Sequence, residues 1–320
     1  MTRLLLLTFL SFSFGLNAQE QTLNLSSDIW PPFTNVEGEK AISLDIVKEA
    51  LDRIDITVKY NIQDSVEIMS AINEGVYDGS AALWISEERK GELVFSEPYL
   101  QNQLILVGRK GSNVDVSSVL ELGETRIGIV EGYAYGKANA PNVEFIRGKN
   151  DQQNLERLMT KKVDYIVIDA LLIQYMLKYQ INDVSALLEI ASSPLRIKTL
   201  HFALSKNVKD AEEIMAKFNE EIKKMVADGT YHDILELNWI RVDVDGDGKY
   251  ELVLEGDQAG LAPPSSSYDV FYSSEGGSDN RFYINGKVYE SWDEVPDELK
   301  TPIPKPDPTY RNTGGFILNF

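Results

Sequence analysis

Residues 162–179, KVDYIVIDALLIQYMLKY, hold the reading of the fold in one stretch. Tyr165 to Ile168 is an unbroken apolar run of strand length. Such a run, without polar alternation, suits a strand covered on both faces. Asp169 follows at its carboxyl end, and Leu171 to Tyr179 carries helical spacing. The same strand-then-helix unit recurs outward from here. Upstream lie Arg126–Val130 (RIGIV), a helix-like segment at 133–140 closed by Pro141, a strand at Val143–Ile146 and a helix at 151–160. Downstream come strands at Ala186–Ala191 and Leu200–Leu204. A long amphipathic helix then runs from Val208 to Asp228 with Ile214, Phe218, Ile222, Met225 and Val226 inward. Gly229 stops it, and a short helix is expected over 230–239.

An earlier series has the same rhythm. It comprises a strand at Leu23–Leu25, a helix opened by Ser43 as N-cap with Leu44, Ile46, Val47, Ala50, Leu51 and Ile54 on one face, and a strand at Thr57–Ile62. A helix through Val66, Met69 and Ile72 ends at Gly75, followed by strands at Gly79–Leu83 and Gln103–Val107. Two series of alternating strands and helices imply an α/β fold of two lobes with mostly parallel sheets. Ligands of open α/β sheets lie beyond the carboxyl ends of the strands, here between the lobes.

The chain has 320 residues, enough for two cores. It carries 31 basic and 50 acidic residues, a net charge of −19, with no Lys/Arg block, so a phosphate backbone is a poor partner. With no cysteine, disulfides, thiolate metal sites and cysteine nucleophiles are excluded. Residues 2–18, TRLLLLTFLSFSFGLNA, read as a secretory signal: Arg3 forms the basic region and Leu4 to Phe14 the apolar run, with cleavage expected after Ala18. About 11 apolar residues are too few to span a bilayer, which needs roughly 20. A periplasmic or secreted product is expected.

After Trp239 the composition shifts. Residues 255–281 are rich in Gly, Ser, Pro and Asp, and prolines punctuate 301–315. Between them, FYINGKVY (282–289) is a hairpin signal around Asn285-Gly286. At 243–251, DVDGDGKYE places Asp243, Asp245 and Asp247 at positions 1, 3 and 5 of a calcium loop. Gly248 is at the turn, the Lys249 carbonyl at position 7 and Glu251 at position 9. Position 12 is Leu254 rather than the Glu of an EF-hand. A structural Ca2+ is expected, against a solvated acidic turn.

Across about residues 20–240 the chain resembles the bacterial extracellular solute-binding proteins of the polar-amino-acid type (family 3), the periplasmic receptors of ABC importers. The carrying motifs, in order, are Trp30-Pro31-Pro32-Phe33, Ser43-Leu44-Asp45-Ile46, Glu74-Gly75-x-x-Asp78, Ser86-Glu87-Glu88-Arg89 and Phe95-Ser96-Glu97-Pro98-Tyr99. Then come Ile127-Gly128-Ile129-Val130-x-Gly132, Lys162-Val163-Asp164 followed by Asp169, and Ala227-Asp228-Gly229-Thr230-Tyr231. The resemblance implies a type II periplasmic binding protein: two lobes joined by crossing strands near 103–108 and 199–205, hinged around a ligand. Lobe 1 is then 19–105 with 200–240, lobe 2 is 106–199, and 241–320 is a small irregular C-terminal extension.

The implied ligand is an amino acid or related small carboxylate, and the implied partner an inner-membrane ABC permease, with the receptor expected to be a monomer. Arg89 matches the family's carboxylate-binding Arg, and its guanidinium fork suits bidentate recognition. Spacing alone favours a surface Arg in a charged turn, and it is the family motif that reverses this. Asp169, five residues after Asp164, matches the position that binds the ligand ammonium; an N-cap role for the next helix is the alternative. Trp30 and Trp84 are expected as aromatic walls. Glu131, Gly132, Tyr133 and Ala134 fall at an expected strand-to-helix turn, where backbone N–H groups bind anions. The family often has small or hydroxyl residues before the Arg; here stand Ala82-Leu83-Trp84-Ile85. No catalytic group is expected, and His201 and His232 are read as structural. An enzyme on the same fold, dehydratase-like, needs a general acid or base in the cleft, for which Glu131 or Asp169 are the candidates. A sensor that binds a partner through the acidic tail is the other alternative.

Overall fold

The structure, a computed structural model, describes residues 21–136, 139–179, 186–235, 240–242, 250–254, 278–284 and 287–299. The signal segment 1–18 and residues Asp243, Asp245, Asp247 and Lys249 lie outside the described residues, as does the Asn285-Gly286 turn.

The first lobe opens with β1 (Gln21–Ser27), α1 (Ile42–Asp52), β2 (Ile56–Ile62), α2 (Ser65–Asn73), β3 (Gly79–Leu83), α3 (Glu87–Glu92) and β4 (Leu93–Phe95). β1 pairs in parallel with β2 along its whole length and with β3 at Leu25. α1 buries Leu44, Ile46, Val47, Ala50 and Leu51, the helical stripe of the sequence, against this sheet. The helix begins one residue earlier than Ser43: Ala41 holds the N-cap position and Ser43 is buried inside the first turn. The backbone N–H groups of Ile42 and Ser43 are already bonded to the carbonyls of Pro32 and Phe33, so no side-chain cap is needed there.

β5 (Leu100–Arg109) then leaves the first lobe. The second holds β6 (Thr125–Val130), β7 (Val143–Gly148), α4 (Asp151–Met159), β8 (Tyr165–Asp169), α5 (Ala170–Tyr179) and β9 (Leu188–Ile190), and β10 (Arg196–Ser205) returns. β6 lies in parallel between β7 and β8. β5 and β10 are the two crossing strands. They pair antiparallel from Arg196↔Leu104 to Leu200↔Leu100. Past that stretch β10 joins β3 and β4, while β5 joins β8 and β9. One curled sheet results, in the order β2-β1-β3-β10-β5-β8-β6-β7.

α6 (Ala211–Ala227) and α7 (Thr230–Leu235) close the first lobe. α6 buries Ile214, Phe218, Ile222, Met225 and Val226. Arg53, at the end of α1, pins the α6–α7 junction through Asp228 (2.6 Å) and Thr230 (2.8 Å). Beyond it, β11 (Ile240–Val242), β12 (Tyr250–Leu254), β13 (Ser278–Ile284) and β14 (Lys287–Tyr289) form a separate small sheet. β13 and β14 are the hairpin expected at 282–289, with Phe282 opposite Tyr289. Phe282, Ile284, Tyr289 and Val295 form its own core. Among the described residues no helix is long and apolar enough to cross a membrane.

One expected element is missing. No helix forms among the described residues of 133–140. Gly132 and Gly136 both adopt positive φ (83° and 87°), which breaks a right-handed helix just before the segment and again within it. The carbonyls a helix would use internally are taken by side chains from elsewhere.

Candidate functional site

A small cavity lies between the lobes at the carboxyl end of β1. From the first lobe it is lined by Asp28, Trp30, Ser65, Ile68, Ala82, Leu83, Trp84 and Arg89, and from the second by Tyr133 and Ala134. About 30 Å3 is left open between these side chains, room for little more than one ordered water. Trp30 and Trp84, 5% and 4% exposed, meet edge to face at 5.7 Å between centroids. Tyr133 packs edge-on against both, at 5.5 and 5.3 Å, and Tyr135 meets Trp84 at 5.4 Å. The quadrupoles of four rings at these angles present faces to edges, the favoured arrangement.

Arg89 reaches this box from α3. Ser86 caps that short helix, its Oγ accepting from the Arg89 N–H. Arg89 is 9% exposed; its Nη1 donates to the Trp84 carbonyl (2.8 Å) and its Nη2 to the Gly132 carbonyl of the other lobe (2.9 Å). Burial lowers its pKa, partly countered by Glu88 and Asp28. A guanidinium ionises so high that it stays cationic in spite of this.

Asp28, which the sequence reading missed, is the counter-charge. Its Oδ2 accepts a hydrogen bond from the Tyr133 hydroxyl at 2.8 Å, across the cleft. Burial raises its pKa, while Tyr133 and Arg89 pull it down. The signal was its place: an acid two residues before Trp30, where the first strand runs out.

Asp169 is placed differently from its expected exposure to the cleft. It ends β8, is 2% exposed, and does not line the cavity. Its Oδ1 accepts from the N–H groups of Leu171 (2.7 Å) and Leu172 (3.4 Å), so it caps α5. Burial pushes its pKa to about 7 against the pull of those bonds and of Asn102. Asn102, fully buried on β5, also accepts from the Trp84 indole N–H at 2.7 Å. It thereby stands between the aromatic wall and the acid. Asp151, buried at the start of α4, is pushed to about 8 by burial and by the charges of Asp28 and Asp169. Among the described residues no three acids converge as a metal site.

Glu131 is exposed and outside the lining; its carbonyl, not its side chain, is engaged, by the Ser65 hydroxyl at 2.9 Å. No helix starts among the described residues of 133–140, so the Glu131–Ala134 turn does not stand at a helix N-terminus there. Instead Lys198 on β10 donates to the Ala134 carbonyl (2.6 Å), and Arg196 to that of Tyr135 (3.0 Å). The Lys198 ammonium lies 5.4 Å from the Trp84 ring centre, and its pKa falls to about 8, mainly through burial. Tyr135, Ser65, Asn102, Asp151 and Lys198 also escaped the sequence reading, because their partners lie far away in the chain. His201 is buried on β10 between the Ser96 carbonyl and the Thr199 hydroxyl, each at 2.8 Å.

A two-lobed α/β fold, two crossing strands and a charged aromatic cleft between the lobes define a solute-binding protein. The chain belongs to the bacterial extracellular solute-binding proteins, family 3, whose model matches residues 25–241. It is similar to the ABC transporter arginine-binding protein 1 of Escherichia coli (strain K12), 23% identical over 232 residues, covering 70% of this chain and 93% of the relative. It is also similar to the ABC transporter glutamine-binding protein GlnH of Bacillus subtilis (strain 168), 27% identical over 168 residues, covering 51% and 57%. Among solved structures, an ancestral arginine-binding protein bound to arginine matches with a TM-score of 0.58 at 24% identity, over 67% of this chain and 96% of that one. An ancestral amino acid-binding protein, a precursor of cyclohexadienyl dehydratase, matches at 0.56 and 19%, over 67% and 93%.

Proposed function

We propose that this protein is a periplasmic receptor, exported by the signal at 1–18, that captures an amino acid with a cationic side chain and presents it to an inner-membrane ABC permease. The single observation that carries this is the pairing of Arg89 and Asp28 in one aromatic cavity between the lobes. Arg89 takes the ligand carboxylate. Asp28, framed by Trp30, Trp84 and Tyr133, takes a cationic group, which the ring faces also attract. The arginine-binding relatives support a cationic ligand. Trp30, Trp84, Tyr133 and Ala134 form the walls, and Glu131 and Asp169 act outside the ligand's contacts. The protein works as a monomer and without turnover, a reading supported by relatives named as transporter binding proteins. The segment 243–251, whose last ligand Glu251 lies in β12, binds a structural Ca2+ through Asp243, Asp245, Asp247, Lys249 and Glu251.

The test is calorimetry of the mature, ligand-stripped protein against basic, polar and acidic amino acids and small carboxylates, beside Arg89→Ala. Micromolar or tighter binding of a basic amino acid, lost in the variant, is the expected result. Binding indifferent to Arg89, or none across the set, would sink the amino-acid assignment. Conversion of the bound solute would favour the enzyme instead.

A further inference from the structure

The charged groups of the cleft are already engaged by the protein itself. Gly132 to Gly136 forms a strap bounded by two glycines at positive φ. Its Gly132 carbonyl sits on the Arg89 Nη2 at 2.9 Å, and its Tyr133 hydroxyl sits on Asp28 at 2.8 Å. The Tyr133 ring fills the aromatic box. We propose that this strap is an internal competitor for the ligand, and that Tyr133 thereby sets which solutes bind: only one offering both an anionic acceptor and a cationic donor displaces it. This rests on the reading of the cleft as a solute site.

The exchange has a clear sense. A carboxylate in place of the Gly132 carbonyl, and a cation in place of the tyrosine hydroxyl, each turn a hydrogen bond with one charged partner into one with two. Charge-assisted bonds are the stronger kind. A carboxylate alone, or an amine alone, gains at one end and leaves the other end of the strap in place. The strap is built to move at its head and stay fixed at its tail. Lys198 and Arg196, on a crossing strand, hold the carbonyls of Ala134 and Tyr135. At the head, a Cβ on Gly132 would lie 2.9 Å from the Ser65 carbonyl oxygen, so the strap rests directly on the start of α2. In this arrangement the strap also holds the lobes together, and a binding-competent fraction below one raises the apparent Kd in proportion.

The test uses Tyr133→Phe, which keeps the ring and removes the hydroxyl, in the full mature protein. The chain has no cysteine, so Lys209→Cys and Lys162→Cys, one exposed position per lobe, accept spin labels cleanly. In the ligand-free wild type, electron–electron distance measurements should give a short interlobe separation, and Tyr133→Phe should move population to a longer one. Calorimetry with L-arginine should show about tenfold tighter binding by Tyr133→Phe. Acetate or butylamine alone should leave the wild-type thermal midpoint unchanged. An unchanged distance distribution in a folded Tyr133→Phe overturns the strap. So does weaker L-arginine binding, which would make the hydroxyl a ligand contact. If neither protein binds L-arginine, the ligand reading fails, and the distances still decide the strap. Asp28→Ala removes the acceptor of the same bond from the other side, so it should open the ligand-free protein as well while losing L-arginine affinity; it decides the matter should Tyr133→Phe fail to fold.

Discussion

Replacing Arg89 by Lys keeps the charge and removes the fork, and so isolates what the geometry contributes. The guanidinium serves two carbonyls at once, Trp84 at 2.8 Å and Gly132 at 2.9 Å, from a buried position. An ammonium on a shorter stem cannot span both and still face a ligand carboxylate. At least one hydrogen bond to a charged group is lost, about 1.5–3 kcal/mol, or about 10- to 150-fold in Kd. One carbonyl left without its donor costs about 1–3 kcal/mol of stability, a drop of some degrees in the thermal midpoint. Calorimetry reads the first effect and thermal unfolding of the ligand-free protein the second. Affinity within twofold of wild type, with the midpoint lowered, would refute the reasoning: Arg89 would then only brace Trp84 and the strap.

Three further outcomes are expected. Asp151 and Asp169 have folded pKa values raised to about 8 and about 7. Above about pH 4 the folded protein therefore holds more protons than the unfolded chain, and these groups' stabilisation is lost as pH rises through the folded values, by about 1.4 kcal/mol per pH unit per group at most. Thermal unfolding of the ligand-free protein should occur higher at pH 6 than at pH 8, and Asp151→Asn should flatten that slope; an unchanged slope refutes the assignment. Gly132→Ala puts a Cβ 2.9 Å from the Ser65 carbonyl at a φ of 83°, so it should favour separated lobes by about 1–3 kcal/mol, seen as a longer ligand-free interlobe distance; an unchanged distance speaks against close packing there. Added Ca2+ should raise the thermal midpoint of the full-length protein and Asp245→Asn should abolish the rise; a midpoint indifferent to Ca2+ removes the metal.

The strand–helix rhythm was legible because each element carries its own pattern. Tyr165–Ile168 is apolar on both faces, and α6 shows its stripe at Ile214, Phe218 and Ile222. The crossing strands were placed from motif order, and they run slightly longer than expected, Leu100–Arg109 and Arg196–Ser205. The cleft was legible only in part. Trp30, Trp84, Arg89, Tyr133 and Ala134 line the cavity. Asp169 does not, since a carboxylate at a strand end suits a helix cap as well as a ligand, and local spacing carries no information on which way it turns. The helix expected at 133–140 is absent among the described residues for a local and a non-local reason: Gly132 and Gly136 take positive φ, and Lys198 and Arg196, from a distant strand, claim the carbonyls of Ala134 and Tyr135. Asp28 went unseen because its partner, Tyr133, is 105 residues away.

The antiparallel pairing of β5 and β10 sets Asn102 directly opposite Lys198, at the point where both strands pass between the lobes. One touches Trp84 by a hydrogen bond, the other lies over its ring. Solute preference and the stiffness of the joint are therefore inherited together. A substitution at either position alters the aromatic wall of the cleft and the joint between the lobes in one step.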